Sequence, residues 1–316
     1  MSNNNVYDVI IIGGGPAGFT AGIYAARASL KALLIEGATT VSQITVTDMI
    51  ENYPGMPAGI NGFELMQLFR EQAAKFGLEI TAGDVGALTR GHDNDRDTWK
   101  VQVGREYLTL AVIVATGANW RKIGVPGEAA FTGKGVSYCA TCDGPFYRNK
   151  EVFVIGGGDT AIQEAIFLTN FAARVTVIHR RDRLRATKIL QERALANNKI
   201  SFLWNSVVDE IEGPDFVQKV RIRNLETGQT SSLAADGVFV FVGMTPNTEL
   251  CRSLMELDKS GYIIADAQMQ TSAPGIFAGG DCTSKLLRQV VTACGDGATA
   301  AFSAQRYIED LKGESY

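Results

Sequence analysis

Val6-Tyr-Asp-Val-Ile-Ile-Ile-Gly-Gly-Gly-Pro-Ala-Gly18 is an apolar run, broken only by Asp8, that ends in a glycine loop. Such a run suits a strand buried on both faces of a parallel sheet. Pro16 to Ala28 then reads as a helix, with proline and small residues close to its start. Lys31 to Ile35 follows as a second apolar strand and is closed by Glu36. A lone glycine pattern says little, but strand, Gly loop, helix, strand and acid in this order make a complete dinucleotide-binding unit. Gly13, Gly15 and Gly18, with Pro16 and Ala17 between them, permit a tight turn. They also allow a pyrophosphate to approach the N–H groups at a helix N-terminus. Glu36 can accept hydrogen bonds from an unphosphorylated adenosine ribose, which selects FAD or NAD over NADP.

The pattern recurs. Glu151 to Ile155 reads as a strand, Gly156-Gly-Gly158-Asp159-Thr160-Ala161 as its loop, Ala161 to Phe171 as a helix and Arg174 to Ile178 as the next strand. Where the first unit has its acid, this one has His179-Arg180-Arg181, with Arg185 four residues beyond Arg181. Guanidinium groups present planar forks of donors that suit phosphate, so the cluster is expected to read the 2′-phosphate of NADPH. His179 fits there as a phosphate-shell or packing residue rather than as a catalyst. Trp99 to Val103, Leu108 to Ala115, Val217 to Arg223 and Gly237 to Phe241 read as antiparallel strands. Ala115-Thr116-Gly117 and Phe241-Val-Gly243 are the expected joints. The last piece, a short strand at Gly275 to Asp281 and a helix from about Val290 to Leu311, is too small to fold alone. Returned to the first domain, it makes the second unit an insertion joined by two chain crossings.

Length and composition agree with this organisation. The 316 residues suffice for two domains, and 46% hydrophobic with 20% charged content is that of a soluble globular protein. A net charge of −4 without a basic block speaks against nucleic acid. No apolar run reaches the roughly 18 residues of a membrane span. Met1 to Asn5 lacks the features of a signal peptide, so a cytoplasmic location is expected. Of the five cysteines, Cys251, Cys282 and Cys294 read as buried small hydrophobes, and only Cys139-Ala-Thr-Cys142 is spaced for redox work. A zinc site would need a second such pair or a His pair, and neither is present, so no metal is expected. A cycling dithiol needs one thiolate to attack its substrate and one to meet the flavin, with an acid to manage the proton. Asp143 can be that acid, or a turn residue ahead of Gly144.

Taken together, these residues resemble the low-molecular-weight, bacterial-type thioredoxin reductase family of NADPH-dependent FAD disulfide reductases, over nearly the whole chain. The resemblance is carried by the Gly13–Gly18 loop, Glu51-Asn52-Tyr-Pro-Gly55, Ala115-Thr116-Gly117, Cys139 to Asp143, Gly156 to Ala161, His179-Arg180-Arg181 with Arg185, and Gly279-Gly280-Asp281. It implies an α/β fold of two Rossmann-like, three-layer ββα domains. The FAD domain would span 1–117 and 245–316, and the inserted NADPH domain, carrying the cysteines, 118–244. It implies a homodimer that passes electrons from NADPH through FAD to a Cys139–Cys142 disulfide and on to oxidised thioredoxin or a thioredoxin-like protein. Cys142 would lie against the flavin, Cys139 would exchange with the partner disulfide and Asp143 would be the acid. Asp281 would hold the ribityl chain, while Arg288-Gln289, ahead of the helix beginning at Val290, would sit at the flavin ring. Gln43 and Asn52 match positions that face the FAD. The family's NADPH domain rotates between two states, a motion the joints at Gly117 and Gly243 would carry.

Two departures stand out. Val41-Ser42 replaces the Gly-Gly common before Gln43, and Gln163-Glu164 replaces a Glu-Glu pair. Two rival enzymes share parts of this pattern. An FAD-dependent dithiol oxidase would lack a working NADPH site, against Arg180, Arg181 and Arg185. An NADPH flavoprotein reductase without dithiol chemistry would survive replacement of both cysteines.

Overall fold

The computed structural model describes residues 6–38, 42–46, 50, 52–93 and 96–313. Met1–Asn5, Val41 and Glu51, which entered the sequence reading, lie outside the described residues. Along the chain run β1 (Val6–Ile12), α1 (Pro16–Arg27), β2 (Ala32–Glu36), α2 (Gly62–Lys75), β3 (Glu79–Ala82), β4 (Ala87–Asp93), β5 (Arg96–Val103), β6 (Arg105–Val114) and β7 (Ala118–Trp120). Next come β8 (Val136–Ser137), α3 (Ala140–Asp143), β9 (Glu151–Ile155), α4 (Asp159–Leu168), β10 (Arg174–Ile178) and α5 (Lys188–Leu195). They are followed by β11 (Ile200–Leu203), β12 (Ser206–Glu212), β13 (Lys219–Asn224), β14 (Thr230–Ala234) and β15 (Gly237–Val240). The chain ends with β16 (Met244–Pro246), β17 (Ile276–Ala278) and α6 (Val290–Lys312). The fold class is the expected one: mixed α/β with two dinucleotide-binding folds. The described residues divide into two compact units, one made of those up to 46 with 53–119 and 245–313, the other of Ile50, Asn52 and 120–244.

In the first unit β1 pairs in parallel with β2 on one side and β6 on the other. Val9, Ile10 and Ile11 are wholly buried, as a strand inside a parallel sheet requires. The strand order is β3-β2-β1-β6-β5-β4. β6 changes partner along its length: Arg105–Thr109 pairs antiparallel with β5, and Val112–Val114 pairs in parallel with β17. The expected antiparallel strand from Leu108 to Ala115 is therefore only half so, its apolar later half belonging to the parallel sheet. α2 starts at Asn61, whose side chain accepts hydrogen bonds from the Phe63 and Glu64 N–H groups. α1 and α6 cross closely. A Cβ on Gly297 would lie 2.1 Å from the carbonyl oxygen of Ala17, so only glycine allows the approach.

The second unit repeats the theme in three layers. Its parallel sheet has the order β11-β10-β9-β15-β8, and β12, β13 and β14 form a separate antiparallel sheet. Alternation along β9 divides the core. Val152 and Val154 pack with Ala161, Ile162, Ala165 and Leu168 of α4, while Phe153 and Ile155 pack with Val208, Val220 and Ile222 of the antiparallel sheet. β15, expected from Gly237 to Phe241 as antiparallel, instead lies in the parallel sheet between β9 and β8. All four of its residues are buried, the mark of a strand covered on both faces.

Candidate active site

The two glycine loops are built alike. Gly13 has φ +120° and donates its N–H to the Ile35 carbonyl at 2.9 Å. A Cβ there would lie 2.2 Å from the Ala115 oxygen. Gly156 has φ +149°, and its Cβ would lie 2.5 Å from the Phe241 oxygen. The third glycine of each loop differs. Gly15 and Gly158 are the N-caps of α1 and α4, with nearly the same extended conformation (φ −92°, ψ −173° and φ −92°, ψ 179°) and no capping side chain. A Cβ on Gly15 would meet only Ser42 Oγ, at 3.5 Å, and one on Gly158 only Arg185 Nη2, at 3.8 Å. The protein thus leaves space in front of both helix starts, where unsatisfied N–H groups and the helix dipole favour an anion. Pro16 and Ala17 open α1, and Asp159 and Thr160 open α4. Asp159 Oδ1 accepts the Thr187 N–H at 2.6 Å.

The surroundings of the loops are of opposite charge. At the first, Glu36 at the end of β2 packs against Gly14, and its carboxylate is held by the Arg70 guanidinium from α2. Arg70 escaped the sequence reading because 34 positions separate the pair and nothing in periodicity links them. At the second, the His179 ring lies beneath Gly157, where a Cβ would approach it to 2.3 Å. His179 is therefore a packing residue. Burial holds its pKa below the ordinary imidazole value, with the Arg181, Arg185 and Arg180 charges acting in the same direction. Its Nε2 is buried without a hydrogen-bond partner. Arg180, Arg181 and Arg185 are exposed, and none enters an ion pair among the described residues.

A further group lies after β17. Gly280, at φ +82°, donates its N–H to Asp296 Oδ2 at 2.9 Å, and Lys285 also binds that carboxylate. Burial raises the pKa of the neighbouring Asp281, against the pull of Lys285 and Arg288, and its Oδ1 has no hydrogen-bond partner. Gln43, in a 3-10 turn (Gln43–Val46), has a buried Nε2 in the same condition. A buried acceptor and a buried donor without partners suit a ligand bearing hydroxyl and carbonyl groups, as FAD does. Ala115 donates to the Ile12 carbonyl at 2.8 Å. Thr116 Oγ1 donates to the Asn247 carbonyl at 2.6 Å, and Gly117, at φ +68°, accepts the Asn247 N–H at 3.0 Å. Asn52 is exposed in a turn. The Arg288 head is engaged locally, donating to the Asp281 and Thr283 carbonyls and lying 4.1 Å from the Tyr262 ring centroid. Gln289 caps α6, its N–H donating to Thr292 Oγ1 at 3.1 Å, and Val290 begins the helix. Lys285 and Asp296 were not anticipated, although a lone acid in the small-residue run Ala293 to Ala298 was a usable signal.

Cys139 and Cys142 form a disulfide across the single turn α3, with Cα atoms 5.3 Å apart. Cys139 is the N-cap residue, its Sγ accepting the Cys142 N–H at 3.2 Å. The turn shares a core with α4: Ala140 and Tyr147 pack with Ala161, Ala165 and Leu168. Both cysteines and Asp143 are partly exposed. Burial and the nearby Asp143 carboxylate push the Tyr147 hydroxyl up to about 12. Cys251 and Cys282 are buried, as expected, whereas Cys294 is only half-buried, 3.9 Å from the Tyr53 hydroxyl.

Paired nucleotide loops and a vicinal disulfide define a class of protein, and comparison with known families agrees. The chain belongs to the pyridine nucleotide-disulphide oxidoreductase family, whose model matches residues 7–297. Within it, the chain groups with the thioredoxin reductases. It is 48% identical to the thioredoxin reductase of Peptoclostridium litorale, over 98% of this chain and 99% of that one. Identity to the Bacillus subtilis (strain 168) thioredoxin reductase is 47%, over 99% and 98%. The crystal structure of thioredoxin reductase from Streptococcus pyogenes MGAS5005 superimposes with a TM-score of 0.92 at 48% identity, covering 98% of this chain and all of that one. Among the described residues no helix is long and apolar enough to cross a membrane.

Proposed function

We propose that the chain is an NADPH-dependent thioredoxin-disulfide reductase that uses FAD and acts as a homodimer. The observation that carries this reading is the Cys139–Cys142 disulfide, set in the unit that also holds the second glycine loop, Arg185 beside it, and Arg180 and Arg181, none of which enters an ion pair among the described residues. Full-length similarity to thioredoxin reductases supports it. The overall change is NADPH, a proton and a disulfide giving NADP⁺ and two thiols. FAD, when bound, supplies the conversion of a hydride donor's electron pair into the opening of a disulfide.

The chain's own residues do the rest. Gly15 leaves room for the FAD pyrophosphate at the start of α1, Gly13 and Gly18 allow the tight turn and close packing behind it, and Glu36, oriented by Arg70, accepts from the adenosine ribose. Asp281 and Gln43 offer an unpartnered acceptor and donor to the remainder of the cofactor. Gly158 and the start of α4 receive the NADPH pyrophosphate, with Gly156 shaping the turn behind them, while Arg180, Arg181 and Arg185 bind its 2′-phosphate. Once the internal disulfide is reduced, the Cys139 thiolate attacks the thioredoxin disulfide and forms a mixed disulfide, releasing one thioredoxin thiol. Cys142 then attacks Cys139 Sγ, frees the second thiol and restores the internal disulfide. Asp143, adjacent in sequence, manages the proton at Cys142 Sγ.

The test is NADPH consumption with oxidised thioredoxin under anaerobic conditions. The native protein is expected to produce two thiols per NADPH. Cys139→Ser and Cys142→Ser are expected to keep FAD but lose thioredoxin reduction by about a thousandfold or more, the scale of removing a covalent catalyst. Undiminished reduction by either variant would assign the chain to flavoprotein reductases without dithiol chemistry.

A further inference from the structure

Within the small-residue run Ala293 to Ala298 of α6 stands one acid, Asp296. Small residues let this part of α6 approach other backbone closely. A Cβ on Gly279 would lie 3.0 Å from Asp296 Cβ, and one on Gly280 2.9 Å from Ala17 Cβ in the first turn of α1. The Gly279–Gly280 step is therefore wedged between the two helices, with Gly280 in the left-handed region at φ +82°. Three hydrogen bonds fix the backbone around it. Asp296 Oδ2 accepts the Gly280 N–H at 2.9 Å, the Gly280 carbonyl accepts the Thr283 hydroxyl at 2.8 Å, and the Asp281 carbonyl accepts from Arg288 Nε at 3.4 Å. Asp281 is thus held by its main chain, while Oδ1 of its carboxylate stays buried without a partner. Asp296 Oδ2 also accepts from Lys285 Nζ, and with side chains 17% and 16% exposed the pair is largely out of water. A carboxylate deprived of its cation at such a site is costly. Burial raises the Asp281 pKa, Lys285 and Arg288 lower it and Asp296 raises it further, so Lys285 acts on both acids.

We propose that Asp296 and Lys285 are positioning residues for FAD: Asp296 sets the Gly280 turn that aims Asp281 at the cofactor, and Lys285 cancels the charge of Asp296. The inference rests on the functional reading above. In that reading the start of α1 receives the FAD pyrophosphate, and the turn held by Asp296 packs on Ala17 in the same helix turn. A lone carboxylate there would repel the anion. Paired with Lys285, Asp296 keeps its hydrogen bond to Gly280 and adds no net charge.

The test is release of FAD from the loaded, full-length protein. Protein carrying isotope-labelled FAD is chased with unlabelled FAD at neutral pH, and the label retained is followed by gel filtration. Asp296→Leu removes the acceptor at similar volume, and Lys285→Met removes the cation alone. Each is expected to release FAD about tenfold faster or more, the scale of one buried polar group left unpaired. Asp296→Asn keeps an acceptor for the Gly280 N–H with no charge to cancel, so its release is expected within about threefold of native. Adding Asp296→Asn to Lys285→Met should slow release at least about threefold relative to Lys285→Met alone. Denaturant unfolding of the FAD-free chains runs alongside. A pair that serves only the fold would lower that midpoint and leave release from Asp296→Leu or Lys285→Met within about threefold of native, which overturns the proposal. So would Asp296→Asn releasing FAD as fast as Asp296→Leu, or a double variant as fast as Lys285→Met. If Asp296→Leu does not fold, Lys285→Met and the double variant decide. A native protein that takes up no FAD would overturn the functional reading, and the inference with it.

Discussion

Gly13 and Gly15 stand two positions apart in one loop and answer to different constraints. Gly13 lies at φ +120° with the Ala115 oxygen 2.2 Å from where a Cβ would sit, so Gly13→Ala is expected to cost on the order of 3 kcal/mol of stability. Gly15 has an ordinary extended conformation and open space before it. Gly15→Ala should leave the FAD-free protein within about 0.5 kcal/mol of native in denaturant unfolding. Yet it should weaken FAD binding about tenfold or more, because the methyl occupies the space in front of the helix start. Equal losses of stability would mean that Gly15 serves the fold and not a ligand. At the second loop, the proposed function has charge decide between nucleotides. Arg180→Gln with Arg181→Gln is expected to raise the KM for NADPH about 100-fold and that for NADH less than about threefold, each charge-assisted hydrogen bond being worth about 1.5–3 kcal/mol. His179 is set against protonation by burial and by the three guanidiniums. Its folded pKa lies below the unfolded value of about 6.5, so the unfolded chain takes up the proton first. Stability from this residue is full above about pH 6.5 and is lost as pH falls through the folded value. His179→Asn should flatten that part of the stability–pH curve.

The close packing of α1 on α6 comes from Gly297. A Cβ there would press on the Ala17 carbonyl, so Gly297→Ala should destabilise the first unit by about 1–3 kcal/mol, read as a lower denaturant midpoint. Elements with a complete local signal were legible. β1, β9 and β10 fall where continuous apolar runs bounded by glycine or charge place them, and α6 extends only one residue past its expected end. β15 and the later half of β6 were misread because a short apolar run does not reveal whether its neighbours are parallel or antiparallel. That depends on partners far away in sequence, β8 and β9 for β15 and β17 for β6. Both glycine loops, the cysteine turn and the arginine cluster could be read because each is one contiguous stretch. Arg70 against Glu36 and Lys285 against Asp296 could not, since each meets its partner only after the chain has folded.

Two units of related design differ in charge at their glycine loops: an acid with its arginine at the first, and at the second three arginines that enter no ion pair among the described residues. A binding protein has little use for both beside a disulfide. An enzyme moving an electron pair from a nicotinamide to that disulfide needs each of them. The central claim is that NADPH, and not NADH, opens Cys139–Cys142. The measurement is an anaerobic titration of the FAD-loaded protein with each nucleotide, following flavin absorbance and counting free thiols at Cys139 and Cys142. NADPH at low concentration is expected to bleach the flavin and yield both thiols, with NADH far less effective. If NADPH leaves flavin and disulfide oxidised while a small dithiol reduces the flavin, electrons enter at the cysteines, and the chain is a dithiol oxidase instead.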